Sequence, residues 1–223
     1  MRVALIGATG LVGSLLAPKL AAAGHDLHLL QRRPGSGAAG TEHVAPPEEW
    51  PEIVRALKPE AAISTLGTTM RKAGSEAGFR AVDHEMVLAF ARAARAAGTR
   101  RFASVSSVGA DAQSKNFYLR IKGETDGTLA ALGFERVDIF RPGLLIGARG
   151  ADRRTGERIA IAMSPIANLL LRGRFARYAG IRAEAVATAI AASLEDNRPG
   201  RFVHENEAIL ELGRHWTLAR PIR

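Results

Sequence analysis

Residues 2–13, RVALIGATGLVG, decide the fold of this chain. The run RVALI is short and mostly apolar, which is typical of a strand buried on both faces of a parallel sheet. Gly7, Gly10 and Gly13 come next and lead into a helical pattern. Glycine allows a sharp turn and a close approach to a pyrophosphate, and the next helix offers that anion free N–H groups and its positive dipole end. The stretch therefore predicts a dinucleotide-binding turn, and a plain tight turn is the alternative.

Strand and helix patterns alternate along the next part of the chain. Further strands are predicted at DLHLLQR, EHVAP, AAISTLG, RRFASVSS and RVDIFRPG, with helices between most of them. The clearest helix is 75–98, in which Phe79, Val82, Met86 and Phe90 recur every three or four residues and form one apolar face. The alternation predicts an α/β fold, namely a Rossmann-type doubly wound parallel sheet with helices on both sides.

The pattern changes in the last third of the chain. Helical segments are predicted near 158–171 and 182–195, followed by a short strand, RFVHE, and a last helix near 205–213. This tail is too short for a separate domain. We therefore expect residues 1–223 to form a single NAD(P)-binding Rossmann domain, in which residues 144–223 contribute a small cap on the substrate side.

Composition excludes several classes of protein. Hydrophobic residues make up 47% of the 223 residues and charged residues 24%, which is ordinary for a soluble globular protein. No apolar run reaches the roughly 18 to 20 residues that span a bilayer, so no membrane association is expected. The absence of cysteine excludes disulfides, cysteine-ligated zinc and a cysteine nucleophile. It fits the cytoplasmic location that we expect.

The formal net charge of +9 raises the question of a polyanionic partner. The basic residues are scattered and only 5% of residues are aromatic, so the clustered pattern of a nucleic-acid interface is missing. A solvated, arginine-rich surface is the better interpretation, and a nucleic-acid partner is not expected. The six histidines form no His-Glu-x-x-His pattern, so no metal site is predicted.

Tyr118 and Lys122 are four residues apart in a segment predicted to be helical, so their side chains should share one face. The chain has only two tyrosines and five lysines, which makes the spacing notable. An ammonium near a phenol favours the phenolate and lowers the pKa of a tyrosine from about 10. Such a pair can exchange a proton with a carbonyl oxygen as hydride is transferred, and the lysine can bind a cofactor ribose. An exposed helix pair is the alternative.

A third catalytic group, a hydroxyl, is expected where the fifth strand ends, because ligands bind at the carboxyl ends of the strands in this architecture. Ser104, Ser106 and Ser107 lie there. Ser106, twelve residues before Tyr118, is the first choice as the hydrogen-bond donor to a substrate carbonyl, and Ser107 is the close rival. The alternative is that these serines satisfy backbone groups of the loop.

The end of the second strand bears on the choice of cofactor. A site selective for NAD usually has an acidic residue there to hold the ribose 2′-hydroxyl, whereas this chain has Gln31 followed by Arg32 and Arg33. Guanidinium groups suit a 2′-phosphate. We therefore expect NADPH (NADP) to be preferred over NADH, and the alternative is that both arginines are solvent-facing loop charges.

Three longer stretches carry a family resemblance: LGTTMRKAGSEAGF, SVSSVGADAQSKNFYLRIKGE and FRPGLLIG. With GATGLVG they resemble the atypical short-chain dehydrogenase/reductases, specifically the Tat-interacting-protein-like branch of NAD(P)H-binding proteins. The similarity runs from the glycine turn to ENEAILELG, near the C-terminus. It implies a Rossmann domain with a small C-terminal cap and a Ser-Tyr-Lys catalytic set, matched here by Ser106, Tyr118 and Lys122.

The resemblance also implies which residues contact the cofactor. It implies that the pyrophosphate is bound by Gly7, Thr9, Gly10, Leu11 and Val12, and the adenosine phosphate by Arg32 and Arg33. It implies that the ribose is bordered by Leu66, Gly67 and Thr68, and that the nicotinamide is flanked by Pro142, Gly143 and Leu144. The substrate of this branch is poorly defined. Its eukaryotic relatives are associated with regulation and protein interaction, which adds a protein partner to the expectations, together with a monomeric or homodimeric state.

Three functions fit these observations. The first is an NADPH-dependent oxidoreductase that reduces an unidentified carbonyl-like small molecule. The second is a non-catalytic NADPH-binding sensor or regulatory protein. A nucleotide-sugar epimerase would use the same tyrosine and lysine chemistry, but the short C-terminal cap counts against it, because a nucleotide-sugar substrate normally needs a larger lobe.

Overall fold

The computed structural model describes residues 1–35, 39–147 and 178–219. The nine strands in this part of the chain are β1 (Arg2–Ile6), β2 (Asp26–Gln31), β3 (Thr41–Val44), β4 (Ala61–Ser64), β5 (Arg101–Val105), β6 (Arg136–Phe140), β7 (Leu145–Ile146), β8 (Ile181–Arg182) and β9 (Gly200–His204). The α-helices are α1 (Gly13–Ala22), α2 (Trp50–Leu57), α3 (Met70–Ala73), α4 (Glu76–Arg80), α5 (Val87–Ala96), α6 (Phe117–Ala131), α7 (Ala183–Ser193) and α8 (Asn206–Ala219). None of the described helices is long and apolar enough to cross a membrane.

Seven of these strands form one parallel sheet in the order β3-β2-β1-β4-β5-β6-β9. This confirms the predicted Rossmann-type sheet. The chain first builds outward from β1 to β3 and then returns to build from β4 in the other direction. The strand order therefore reverses between β1 and β4, and ligands of such sheets bind in the crevice at that point.

The central strands of the sheet are buried on both faces, which explains why β1 and β4 are nearly continuous apolar runs. Successive residues of β1 point to opposite sides: Val3 and Leu5 pack with α1 and α7, whereas Ala4 and Ile6 pack with α2, α5 and α6. Leu16 of α1 belongs to the same buried hydrophobic cluster as Val3 and Leu5. Both layers hold the carboxyl ends of the strands in fixed positions, which is where the site residues lie.

The described residues near the C-terminus complete the Rossmann layers. Strand β9 pairs with β6 and becomes the seventh strand, and α7 shares the hydrophobic core of α1. The expected cap over 144–223 stays a prediction, because residues 148–177 lie outside the described part of the chain. A short second sheet, formed by β7 and β8 through Leu145 and Ile181, lies outside the main one and was not predicted from the sequence. The helix predicted near 158–171 lies outside the described residues.

The predicted helix over 75–98 is observed as α4 and α5 joined by a π-helical segment, Ala81–Met86. The wider π turn changes which side chains face inward. Asp83 is fully buried, whereas Val82 and Met86, which the regular spacing places on the buried face, are only half-buried. Segments of this kind are frequent at functional sites.

Helix α6 contains two glycines that should respond to alanine in opposite ways. A Cβ added at Gly123 would lie 2.2 Å from the backbone of Asp111 and of Ala112, whereas nothing lies within 4 Å of one added at Gly127. We expect Gly123→Ala to lower the free energy of unfolding by about 1–3 kcal/mol through overpacking. Gly127→Ala should raise it by up to about 1 kcal/mol, because alanine favours an exposed helix interior.

Urea unfolding of both variants measures the difference. Equal effects of the two substitutions would contradict the close packing of α6 against the loop after β5.

Candidate functional site

The β1–α1 turn lies directly against the end of β4. Gly7 has a φ of +84°, and a Cβ added there would lie 2.6 Å from the backbone nitrogen of Leu66 and from the carbonyl carbon of Thr65. A Cβ at Gly13 would lie 2.2 Å from the Gly7 carbonyl oxygen, so only glycine fits at either position. Gly10 closes the turn by donating its N–H to that oxygen at 2.9 Å. The structure thus brings the predicted phosphate turn and the predicted 66–68 segment together.

The start of α1 is suited to an anion. Its first turn contains no acidic residue, and Val12 at the N-cap position provides no side-chain hydrogen bond. The first N–H groups of a helix have no partner within that helix. In this helix the Ser14 N–H already donates to the Gly10 carbonyl oxygen at 3.0 Å, so an anion placed here would be stabilised chiefly by the positive end of the dipole. With the glycine cradle beside it, this helix end fits a pyrophosphate, so the residues present suit an NAD(P) cofactor.

Gln31 is a site candidate that the sequence reasoning passed over. It ends β2, where its side chain is only 5% exposed, and neither polar atom of its amide has a hydrogen-bond partner within the described part of the chain. A buried amide without partners is costly and points to a ligand. Arg32 and Arg33 follow it and are exposed. The signal in the sequence was a polar residue directly after the buried pair Leu29 and Leu30, at the carboxyl end of the strand.

Tyr118, Lys122 and Asp126 are spaced by four residues and occupy one face of α6. Asn116 starts this helix, because its side chain accepts a hydrogen bond from the Leu119 N–H at 3.2 Å. The Tyr118 ring is half-buried and packs at 5.3 Å, centroid to centroid, against the ring of Phe79. Tyr118 and Lys122 therefore share a face, as predicted.

Lys122 is buried and forms an ion pair with Asp83 of the π-helical segment. The Lys122 Nζ lies 2.6 Å from Asp83 Oδ1. The other oxygen, Oδ2, accepts a hydrogen bond from the Thr68 backbone N–H at 2.8 Å. Burial lowers the pKa of Lys122, but the interaction with the Asp83 carboxylate, supported by smaller effects of Tyr118 and Asp126, outweighs burial, so the pKa is raised.

Asp83 is therefore a second residue that the sequence reasoning missed. A regular helix with Phe79 inward also brings position 83 inward, so an acidic residue on an apolar face was the available signal. The interpretation of 75–98 as one regular helix, with Val82 on its buried face, concealed it.

The two candidate serines point to different environments. Ser106 is buried, and its hydroxyl donates to Asp126 Oδ2 at 2.9 Å, the same oxygen that accepts from Arg141 Nε at 2.9 Å. Burial raises the pKa of Asp126, and the hydrogen bonds from Ser106 and Arg141 oppose this. A serine hydroxyl has one proton, so Ser106 cannot donate to a substrate while it donates to Asp126. Ser107 is half-buried and makes only a long local contact, 3.3 Å, with the Val108 carbonyl. The geometry therefore favours Ser107 over the first choice, Ser106.

The segment after β6 completes the cleft. The Pro142 carbonyl accepts the Val108 N–H at 3.0 Å, which fixes this segment beside the serine loop. Gly143 donates its N–H to Asn206 Oδ1 at 2.9 Å, and Leu144 is exposed. The carboxyl ends of the strands lie along one edge of the sheet. The segments that follow them there are the turn 7–13, segment 66–68, the loop with Ser106 and Ser107, and segment 142–144. Lys122 of α6 lies next to segment 66–68.

Fold and site together define an NAD(P)-binding Rossmann protein with the tyrosine and lysine of a short-chain dehydrogenase/reductase. The sequence model of the NAD dependent epimerase/dehydratase family matches residues 3–125. The chain belongs to this family of extended short-chain dehydrogenase/reductases.

Relatives similar to this chain are fungal proteins named for mitochondria. The mitochondrial protein fmp-52 of Neurospora crassa is 31% identical over 228 residues, covering 95% of this chain and 94% of the relative. The mitochondrial protein FMP52 of Eremothecium gossypii is 33% identical over 221 residues, covering 95% and 97%. The expectation of a cytoplasmic location is therefore wrong, because these names point to mitochondria instead.

Solved structures show the same fold at low identity. MoeE5 in complex with UDP-glucose and NAD superposes with a TM-score of 0.70 at 14% identity, covering 100% of this chain and 83% of that one. Human SDR39U1 with NADPH gives a TM-score of 0.62 at 19% identity, covering 92% and 74%. At these identities the likeness establishes the Rossmann fold alone.

Removing one partner of the ion pair between Asp83 and Lys122 should destabilise the protein much more than removing both partners. Asp83→Asn leaves a buried ammonium beside a neutral amide, so we expect a loss of about 3–5 kcal/mol in the free energy of unfolding. The double variant Asp83→Asn with Lys122→Met removes both charges and should regain most of that loss. Urea unfolding measures all three proteins.

Glu52→Gln is the control, because it removes one partner of the exposed ion pair with Arg55 and should change stability little. If Asp83→Asn proves no more destabilising than Glu52→Gln, the buried pair is not formed as described.

Proposed function

We propose that this protein is an NADPH-dependent oxidoreductase of the atypical short-chain dehydrogenase type that reduces a carbonyl-like small molecule. The observation that carries the proposal is the position of Lys122, whose ammonium is held beneath the segment that follows β4 while Tyr118 lies one turn away on the same helix face. A phenol beside a cofactor cleft is suited to proton transfer.

The residues present would bind the cofactor as follows. The turn from Gly7 to Gly13 and the start of α1 would hold the pyrophosphate. Gln31, Arg32 and Arg33 would hold the adenosine end, where a neutral amide and two guanidinium groups favour a 2′-phosphate over a free 2′-hydroxyl. When bound, NADPH supplies the hydride that adds to the carbonyl carbon.

The side chains of the cleft would divide the remaining chemistry. Tyr118 donates its phenolic proton to the carbonyl oxygen, which yields the alcohol. Lys122 hydrogen-bonds the ribose and keeps a positive charge near the phenol. Ser107, whose hydroxyl makes only a weak local contact, orients the carbonyl oxygen.

NADPH oxidation by a panel of aldehydes, ketones and quinones tests this function. We expect turnover with at least one compound, and we expect Tyr118→Phe to lower kcat by about 100-fold or more, because one general acid contributes about 10²–10⁴. Binding of NADPH should persist in the variant. Tight NADPH binding without tyrosine-dependent turnover on any compound would instead support a non-catalytic NADPH-binding sensor.

The two serines provide a second test with a matched control. Ser107→Ala should lower kcat/KM by about tenfold or more on the same compound, since it removes a hydrogen bond to the reacting oxygen. Ser106→Ala should act mainly on stability, because its hydroxyl is bonded to Asp126. The reverse order of effects on kcat/KM would return the role to Ser106.

Cofactor preference is tested by the affinities for NADPH and NADH. We expect NADPH to bind at least about tenfold more tightly, a difference of about 1.4 kcal/mol. Arg32→Ala combined with Arg33→Ala should remove most of the difference, and Gln31→Asp should reverse it by repelling a 2′-phosphate. Arg201→Ala, an exposed arginine on β9, is the control. Equal affinities in the unmodified protein would contradict the preference.

A further inference from the structure

A cavity of about 470 Å³ lies between α7 and α8. It is lined by four residues at the start of α7 and three residues of α8, and none of these seven belongs to the cofactor cleft. Its volume is within the range of about 300–1,000 Å³ that is typical of small-molecule sites. The cavity is therefore a second candidate site, separate from the one proposed for NADPH.

The walls of this cavity are apolar, because the one hydroxyl among its lining side chains is turned away. The Thr188 Oγ1 donates to the Glu184 carbonyl oxygen of its own helix at 2.9 Å. The Thr188 methyl carbon faces α8, where it would lie 3.8 Å from a Cβ added at Gly213. Ala185 and Leu210 supply further apolar surface. These walls suit the apolar body of a ligand.

Gly213 keeps the cavity open, although the contact between the helices does not require a glycine there. The nearest atoms to a Cβ added at Gly213 are the Ala185 carbonyl oxygen and the Thr188 methyl carbon, both at 3.8 Å, which is an ordinary van der Waals distance. Among residues other than proline, glycine is the least favourable in a helix interior. Close packing therefore does not account for this glycine, whereas an open cavity does.

The charges around the cavity leave an excess of positive charge. Glu184 is balanced by Lys19 of α1, whose Nζ lies 2.6 Å from Glu184 Oε1. Arg182 and Arg214 are exposed, and within residues 1–35, 39–147 and 178–219 neither guanidinium group has an ion-pair or hydrogen-bond partner. Guanidinium groups bind carboxylate and phosphate oxygens in a bidentate manner. The two arginines therefore favour an anionic head group.

We propose that the cavity between α7 and α8 binds a monomeric anionic amphiphile. Its apolar chain lies between Thr188 and Leu210, and its acidic head group is held by Arg182 and Arg214. A carboxylate and a phosphate monoester share the chemistry that the two arginines recognise, whereas a neutral or cationic head group lacks it. This site is additional to the proposed function and does not depend on it.

Isothermal titration calorimetry with four probes of equal chain length, each below its micelle-forming concentration, tests the site. We expect decanoate and decyl phosphate to bind once per chain and at least about tenfold more tightly than 1-decanol or decyltrimethylammonium, because only the anions gain charge-assisted hydrogen bonds. Hexanoate should bind at least about tenfold more weakly than decanoate, because it lacks four methylene groups. Equal affinities for the four head groups, or no binding of decanoate, would overturn the site.

The role of the two arginines is tested with Arg182→Met combined with Arg214→Met, which removes both charges and keeps apolar stems of similar length. The affinity for decanoate should fall at least about tenfold, while that for 1-decanol should stay within about threefold. Arg201→Met, which removes an exposed arginine of β9, is the matched control and should leave both affinities unchanged. An equal loss in this control would mean that the net charge of +9 attracts anions without a specific site.

The location of the site is tested at Gly213. Gly213→Leu fills the cavity and should abolish the binding of decanoate, whereas Gly213→Ala fits into open space and should keep the affinity within about threefold. Urea unfolding of both variants shows whether the fold is retained. Unchanged binding of decanoate by a folded Gly213→Leu variant would place the ligand elsewhere and overturn the assignment.

Vesicles distinguish a free amphiphile from a lipid surface. Flotation with phosphatidylcholine vesicles, with and without phosphatidic acid, should show no binding that depends on Arg182 and Arg214, because the cavity takes a single free chain. Arginine-dependent binding to the vesicles that contain phosphatidic acid, without binding of monomeric decanoate, would assign the two arginines to a lipid surface and would contradict the proposed occupant.

Discussion

The contact between the β1–α1 turn and the end of β4 is the constraint on which the site depends. Gly7 and Gly13 have no side chain, so the turn can lie against the backbone of Thr65 and Leu66 and the helix can start immediately beside it. This contact lies where the strand order reverses, and it places the donors of α1 next to the segment that covers Lys122. A side chain at either glycine would open the cleft at its centre.

A chain of buried charges forms the second level of organisation. Asp83, Lys122, Asp126 and Arg141 alternate in sign from the π-helical segment, through one face of α6, to the segment after β6. Each buried charge therefore has an opposite neighbour, which offsets the cost of removing it from water. Because Tyr118 lies on the same helix face, the arrangement that stabilises the interior also sets the electrostatic environment of the proposed acid.

Local patterns in the sequence were enough to predict most elements and the parallel sheet, because continuous apolar strands and the glycine turn have one simple explanation. The pairing of Tyr118 with Lys122 followed from helical spacing. Asp83 was missed because the buried face of 75–98 was assigned to the apolar residues alone, although helical spacing from Phe79 also brings position 83 inward. The sequence did not separate Ser106 from its neighbour Ser107, because their spacings to Tyr118 differ by a single residue. The membership of β9 in the main sheet depends on long-range pairing that no local pattern reveals.

Hydrogen–deuterium exchange with and without NADPH tests the central claim, that this cleft is the cofactor site, most directly. Amides open to solvent exchange quickly, and those covered by a ligand are protected. Bound NADPH should slow exchange in residues 7–13, at the end of β2 and in residues 66–68, while the amides of α7 serve as an internal reference. Absence of protection at the glycine turn, or protection confined to another surface, would contradict the account.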